Sequence, residues 1–256
     1  MLRSTFVHLP GVGLETERRL WSAGVRDWET ALAGEDAPKG ISAARWDGLR
    51  AILEASRHSL QKKDHRFFAE HLKSSHHWRG WRDFRNRAAF VDIETTGNGG
   101  WATITVVGVY DGVRVHTFIH GENMDEVPEF LEQFAMLVTF NGATFDLPFL
   151  RRRFKGMRTD QLHYDLRYPL ARLGFRGGLK AIETRLGMTR EDDLQGLSGE
   201  DAVRLWYDYL KGDENALDVL VRYNAADVIN LEPLAEYAYE QEWRRCRALC
   251  GNAEER

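Results

Sequence analysis

Apolar residues recur at helical spacing through the first third of the chain, and from Ala88 onward they recur at strand spacing. Leu14, Arg18 and Trp21 fall on one face of a helix expected over 14–23. Trp46, Leu49, Leu53 and Leu60 line one face of a longer helical pattern over 41–74. The change of period is abrupt. Ala88 to Glu94 reads as a strand, and Ala102 to Tyr110, an Asp111-Gly112 turn and Val113 to Ile119 read as a meander. A helix from about Asp125 to Ala135 follows, then a β-like run, Met136 to Phe140, closed by Asn141-Gly142. Gly178 to Gly187 and Gly199 to Leu210 read as further helices. The order β-β-β-α-β-α predicts an α/β fold, a mixed sheet with helices packed against it, preceded by a smaller all-α region. The expected division is a helical accessory region over 1–85, an α/β domain over 86–242 and a C-terminal tail over 243–256.

Candidate chemistry centres on Phe90-Val91-Asp92-Ile93-Glu94-Thr95-Thr96-Gly97. Side chains alternate along a strand, so Asp92 and Glu94 share a face and repel unless a cation joins them. Hard oxygen ligands of this kind suit Mg²⁺ or Mn²⁺; the other reading is a solvated strand end. Spacing alone does not decide, because Asp27-Trp28-Glu29 has the same pattern inside a helical stretch. A third acid, Asp146, lies in Asn141-Gly142-Ala143-Thr144-Phe145-Asp146-Leu147-Pro148, at a turn from strand to helix. The helix dipole would account for a lone Asp there. The last acid, Asp227, lies one helical turn after Tyr223, so the two share a face. Asp165, at another strand-to-helix turn, reads as an accessory acid or a helix cap.

Taken in order, an Asp-x-Glu on a strand, an Asn-x-x-x-Phe-Asp at a turn and a Tyr-x-x-x-Asp on a late helix closely resemble the ribonuclease H-like 3′-5′ exonucleases with four metal-binding acids and a tyrosine, the DEDD group in its tyrosine variant. The resemblance runs from Phe90 to Tyr239 and, with Gly178 to Gly187 and the N-terminal segment, is nearest the YprB-like branch. It implies a five-stranded mixed sheet flanked by helices, with the acids gathered at one edge. It implies two Mg²⁺ or Mn²⁺ ions held by Asp92, Glu94, Asp146 and Asp227, with Tyr223 orienting a metal-activated water. Nucleic acid would be cut from its 3′ end to nucleoside 5′-monophosphates. Thr95 and Thr96 would hold the terminal nucleotide and Asn141 its sugar, while Arg151 and Arg152 would follow the phosphate backbone. Two rivals keep the fold and change the function: a binding module without turnover, and a metal-dependent endonuclease.

Leu9-Pro10-Gly11-Val12-Gly13, leading into a helix, resembles the hairpin and second helix of a helix-hairpin-helix element. Gly11, Val12 and Gly13 would then meet phosphate through backbone amides. A capping turn or a hairpin for protein contacts fits the same residues.

Charge adds one asymmetry. The chain has 256 residues and a formal charge of -4. Residues 50–87 hold ten Lys/Arg against four acids, a local +6 that leaves -10 elsewhere. Within them, His76-His77-Trp78-Arg79-Gly80-Trp81-Arg82-Asp83-Phe84-Arg85 interleaves arginines with aromatics. Such a mixture stacks on bases and pairs with phosphates, or else packs as a connector. His65, His71, His76 and His77 lack the companions of a metal site. Cys246 and Cys250 read as reduced thiols of a cytoplasmic protein. No apolar run is long enough to span a bilayer. The partner expected is nucleic acid, not a membrane, and the chain is expected to act as a monomer.

Overall fold

The computed structural model describes residues 1–34 and 36–251, with side chains described through residue 248; the Cys250 thiol lies outside the described residues. Two compact units emerge: residues 1–86 with 160–163 and 239–256, and residues 87–159 with 164–238. The expected tail is helical as far as Gly251.

The first unit contains α1 (Leu14–Ser22), α2 (Trp28–Ala33), α3 (Ala43–Gln61), α4 (His65–His71) and the short α5 (Trp81–Phe84). The long pattern over 41–74 is two helices rather than one. Lys63 adopts a left-handed φ of 55°, and the Asp64 carboxylate accepts from the Arg66 and Phe67 amides, so a new helix starts there. Asp27 likewise caps α2 by accepting from Thr30, which explains an Asp-x-Glu spacing that has nothing to do with metal. On α1 the buried face is Glu17, Leu20 and Trp21, whereas Leu14 is exposed. The core is aromatic: Phe6, Trp28, Trp46, Phe68, Trp81 and Phe84 are almost fully buried. Trp28 stacks on Phe68 and donates its indole N–H to the Thr5 carbonyl at 2.7 Å.

One ion pair lies inside this core. Arg79 donates to both carboxylate oxygens of Glu17 at 2.8 Å, with both side chains essentially inaccessible. Glu17 also accepts from the Phe6 and Val7 amides, at 2.6 and 3.2 Å, and so ties the chain's first residues to α1.

The second unit is built on a five-stranded sheet in the order β3-β2-β1-β4-β5, from β1 (Ala88–Thr95), β2 (Ile104–Tyr110), β3 (Val115–Ile119), β4 (Met136–Thr139) and β5 (Leu162–Asp165). β1 pairs antiparallel with β2 and parallel with β4, so the sheet is mixed. The β2–β3 turn is wider than the sequence suggests, because the Asp111 carboxylate takes the Val113 and Arg114 amides away from the ladder. The intervening and following helices are α6 (Val127–Glu132), α7 (Asp146–Arg153), α8 (Arg167–Arg172), α9 (Leu179–Arg185), α10 (Gly199–Leu210) and α11 (Glu214–Gly251). Ala89, Val91 and Ile93 point into a core shared with Leu131, Phe149 and Leu150. That places Asp92 and Glu94 on the opposite face, beneath a second cluster containing Val106, Trp206, Leu220 and Tyr223. No helix among the described residues is long and apolar enough to cross a membrane.

The buried pair of the first unit sets a stability test. Arg79→Met retains the stem and removes the cation, leaving a buried carboxylate uncompensated, which costs about 3–5 kcal/mol. The urea midpoint followed by tryptophan fluorescence should fall accordingly, while Arg57→Ala, at an exposed pair, should cost under about 1 kcal/mol. Equal midpoints for the two variants would remove the Glu17–Arg79 pair from the account of this unit.

Candidate active site

β1 delivers two acids to one place, and the sheet's local geometry shapes how. Asp92 is paired with Gly108 and Glu94 with Val106, and the register then slips, so that Thr95 opposes Ile104. An irregularity directly after Glu94 ends regular pairing where the chain must turn out of the sheet. Asp227 arrives from α11. Ligand oxygens of Asp92, Glu94 and Asp227 lie within 4.8 Å of one another, a group able to hold a metal ion.

Asp146 enters from the strand-to-helix turn. Asn141 takes a left-handed φ of 69°, and a side chain on Gly142 would meet Thr139 Oγ1 at 2.3 Å, which explains the Asn-Gly pair. The turn is held from below by Asp165, which accepts from the Asn141, Ala143 and Arg167 amides at 2.7, 3.0 and 3.1 Å. Of its two sequence readings, Asp165 therefore takes the capping one. Asp146 is buried, and its Oδ1 has no hydrogen-bond partner. A buried carboxylate oxygen without a partner, in the field of Asp227 and Asp165, can accept from a cation as readily as from a donor.

Electrostatics describe the same crowding. Burial raises Asp92 well above the usual carboxylate range, and the charges of Asp227, Glu94 and Asp146 add to it. Burial, then Asp227, pushes Glu94 up to about 8. Asp146 is pushed up to about 7 by burial, with Asp165 and Asp227 contributing. Asp227 is also raised by burial, although Lys180 and Arg190 pull against it. An all-oxygen donor set whose charged form is disfavoured by burial and by its neighbours' charges fits a hard divalent cation.

The protein's own cations were not anticipated from sequence. Arg190, its side chain 7% accessible, donates to both Glu183 oxygens at 2.7 and 2.8 Å and also reaches Asp227. Lys180, at the start of α9, donates to the Tyr223 hydroxyl and lies 3.8 Å from Asp227. Burial and the neighbouring carboxylates hold the Tyr223 phenol above its ordinary value, so it stays protonated at neutral pH. Asn224, next to Tyr223, donates to Asp92 Oδ2 at 2.9 Å and crosses above Gly108, where an added Cβ would sit 1.9 Å from its Oδ1. The sequence signal for Lys180 was the Gly178-Leu179-Lys180 helix start; Arg190 and Asn224 had none.

A cavity of about 620 Å³ opens onto the acids, walled by Thr95, Gly97, Phe145, Ser198 and Tyr223 among others. The remaining expected contacts are more committed to local structure. Thr95 is buried and donates its hydroxyl to the Gly97 carbonyl, while the Thr96 hydroxyl accepts from the Thr103 amide. The Asn141 side-chain oxygen accepts from Thr144 and Arg167, in a separate cavity of about 550 Å³. Arg151 is bound to Thr159, and Arg152 to the Ala102 carbonyl.

In the first unit, Gly11 has a φ of 67° and its carbonyl accepts from Arg45, while Val12 is buried and its amide closes the turn onto Leu9. Much of the basic segment is likewise occupied: Arg50 by carbonyls of Leu32 and Gly34, Arg66 by Asp160 and Arg82 by Glu240. Trp78, Trp81 and Phe84 are core residues, so the aromatic–arginine run is a packed connector. His77 is bonded to Leu72 and His163 and is lowered by burial, and among the described residues the histidines form no metal-ligating group.

Two outcomes follow from this geometry. In EDTA, folded Glu94 keeps a proton that the unfolded chain releases near 4.5, so its contribution is complete below pH 4.5 and is lost as pH rises to about 8. The melting temperature of the native chain minus that of Glu94→Gln should therefore fall across that window, the opposing slope of buried His8 cancelling in the difference. Mn²⁺ should stabilise the native chain more at pH 8 than at pH 6; a pH-independent difference together with no response to Mn²⁺ would dismantle the cluster. Gly108→Ala should cost about 1–3 kcal/mol by overpacking. Adding Asn224→Ala should recover part of that loss, and strict additivity would count against the close crossing.

Comparison with known proteins places the chain. No curated protein sequence matches it. Among solved structures it is similar to the family B DNA polymerase from the hyperthermophilic archaeon Pyrobaculum calidifontis, at 17% identity and a TM-score of 0.49. That similarity covers 59% of this chain and 24% of the polymerase, so the chain spans about a quarter of that protein's length. The family model described as the RNase_H superfamily matches residues 89–239, a range that holds all of the sheet but the first residue of β1 and includes Asp92, Glu94, Asp146 and Asp227, and the chain belongs to the ribonuclease H superfamily.

Proposed function

We propose that this protein is a divalent-metal-dependent 3′-5′ exonuclease of the tyrosine-bearing DEDD type, hydrolysing phosphodiester bonds of DNA or RNA to nucleoside 5′-monophosphates. The observation that carries the reading is the convergence of Asp92, Glu94 and Asp227 within ligand distance of one another, beside an orphaned Asp146 oxygen. Asp92, Glu94 and Asp227 would hold divalent ions, with Asp146 as a fourth ligand. Bound ions would supply an activated water and neutralise the leaving oxygen of an in-line displacement.

The chain's own side chains have separate tasks. Tyr223 is protonated, so its hydroxyl serves as a hydrogen-bonding group that orients the nucleophile, not as a base. Lys180 holds that hydroxyl in place. Asn224 fixes the Asp92 carboxylate, and Arg190 fixes Asp227 while Glu183 balances its charge. Thr95 and the start of the following loop wall the cavity where a terminal nucleotide would sit.

The contact of Arg190 with Asp227 also favours one rival: a nucleic-acid-binding module of the same fold, in which the protein's cations replace metal. Labelled single-stranded and duplex oligonucleotides, incubated with Mg²⁺, Mn²⁺ or EDTA, separate the two. A 5′-labelled linear strand should shorten stepwise with metal, and a circular strand should persist. Asp92→Asn should abolish cleavage, and Tyr223→Phe should slow single-turnover cleavage by about 10- to 1,000-fold with little change in affinity. Cleavage of circles would convert the reading to an endonuclease; intact strands under every metal condition would leave the binding module.

A further inference from the structure

Between β1 and β2 the chain passes through Gly97-Asn98-Gly99-Gly100-Trp101. Six of the eight tryptophans, at positions 21, 28, 46, 78, 81 and 206, are buried, whereas Trp101 is 99% exposed. Isolated exposed apolar residues are ordinary, so exposure alone says little. Its setting is more telling.

The loop is pinned at its base. Thr96 and Thr103 exchange hydrogen bonds at 2.9 and 3.0 Å, the Ala102 amide closes onto Gly99, and Arg152 donates to the Ala102 carbonyl at 2.7 Å. Its first residues, Gly97 and Asn98, line the same cavity as Asp92, Glu94 and Asp227. The indole therefore stands on an anchored turn whose other end borders the acids. Arg152, stacked 4.3 Å over Phe149, uses one N–H on the carbonyl of Ala102, the residue after Trp101, and its guanidinium has further N–H groups. An exposed aromatic face on a loop that starts at the cavity wall, with a guanidinium bonded to the backbone of the following residue, matches a nucleotide: base on indole, phosphate on arginine.

Resting on the exonuclease reading, we propose that Trp101 is a stacking platform for an unpaired nucleobase of the strand whose end enters the acid cavity. Paired bases hide their faces in the duplex, so this contact selects single-stranded or frayed ends. Stacking reads no base edge, so the preference is for strandedness and not for sequence.

Binding is measured with EDTA present, so that no strand is cut, by anisotropy of a 5′-labelled oligonucleotide on the full chain. Trp101→Ala should weaken single-strand binding by about 10-fold or more while leaving blunt-duplex binding and the melting temperature unchanged. Trp101→Phe should restore most of the affinity, since a ring remains. Replacing bases near the 3′ end by abasic residues should weaken binding to the native chain and add nothing in Trp101→Ala. Equal affinity of native chain and Trp101→Ala for single strands, or equal losses on single strand and duplex, overturns the stacking assignment and leaves the exonuclease reading standing. Failure of the native chain to bind any strand removes both.

Discussion

Four carboxylates gathered at one end of β1, three of them buried and Asp92 half-buried, are the constraint around which the second unit is arranged. Such a group is unstable by itself. Asp92, Glu94, Asp146 and Asp227 are all held above the ordinary carboxylate range by burial and by one another. The surrounding residues answer that strain in two ways. Asn224 holds one Asp92 oxygen, and Lys180 and Arg190 bring positive charge nearest to Asp227, with Lys180 also easing Asp92 and Glu94. Glu183 in turn offsets part of the Arg190 charge. Asp92, Glu94 and Asp146 have no bond to an Arg or Lys among the described contacts, and there an external cation has most to offer.

The first unit meets a different demand. It is short of strands and rich in large aromatics, and its buried cation Arg79 is needed to neutralise the buried Glu17. A cation fully engaged in a core cannot also engage phosphate. The same holds, less strictly, for Arg50, Arg66 and Arg82, each bound to a carbonyl or carboxylate of its own unit. Local positive charge in a sequence thus measures the cations present and not the cations available. The Gly11 turn shows a related effect: its flexible backbone serves a left-handed turn tied down by Arg45.

What the sequence by itself determined was whatever a local rule decides. Strand alternation put Asp92 and Glu94 on one face, helical spacing put Tyr223 beside Asp227, and the change of apolar period at Ala88 marked where helices give way to the mixed sheet. Asn141-Gly142 announced a turn because few other residues accept its backbone angles. Asp27 and Asp64 were caps, each recognisable only once its helix start was known. Tertiary structure decided everything that depends on which distant segments meet. Arg190 touches Asp227 across 37 residues, Asn224 touches Asp92 across 132, and Arg79 finds Glu17 across 62. No periodicity encodes such pairs, because their partners are chosen by the packing of whole elements. Trp101 is the converse case: a residue whose type predicts burial is left in solvent, because the glycine loop that carries it is fastened beside the acids instead of folded into the core.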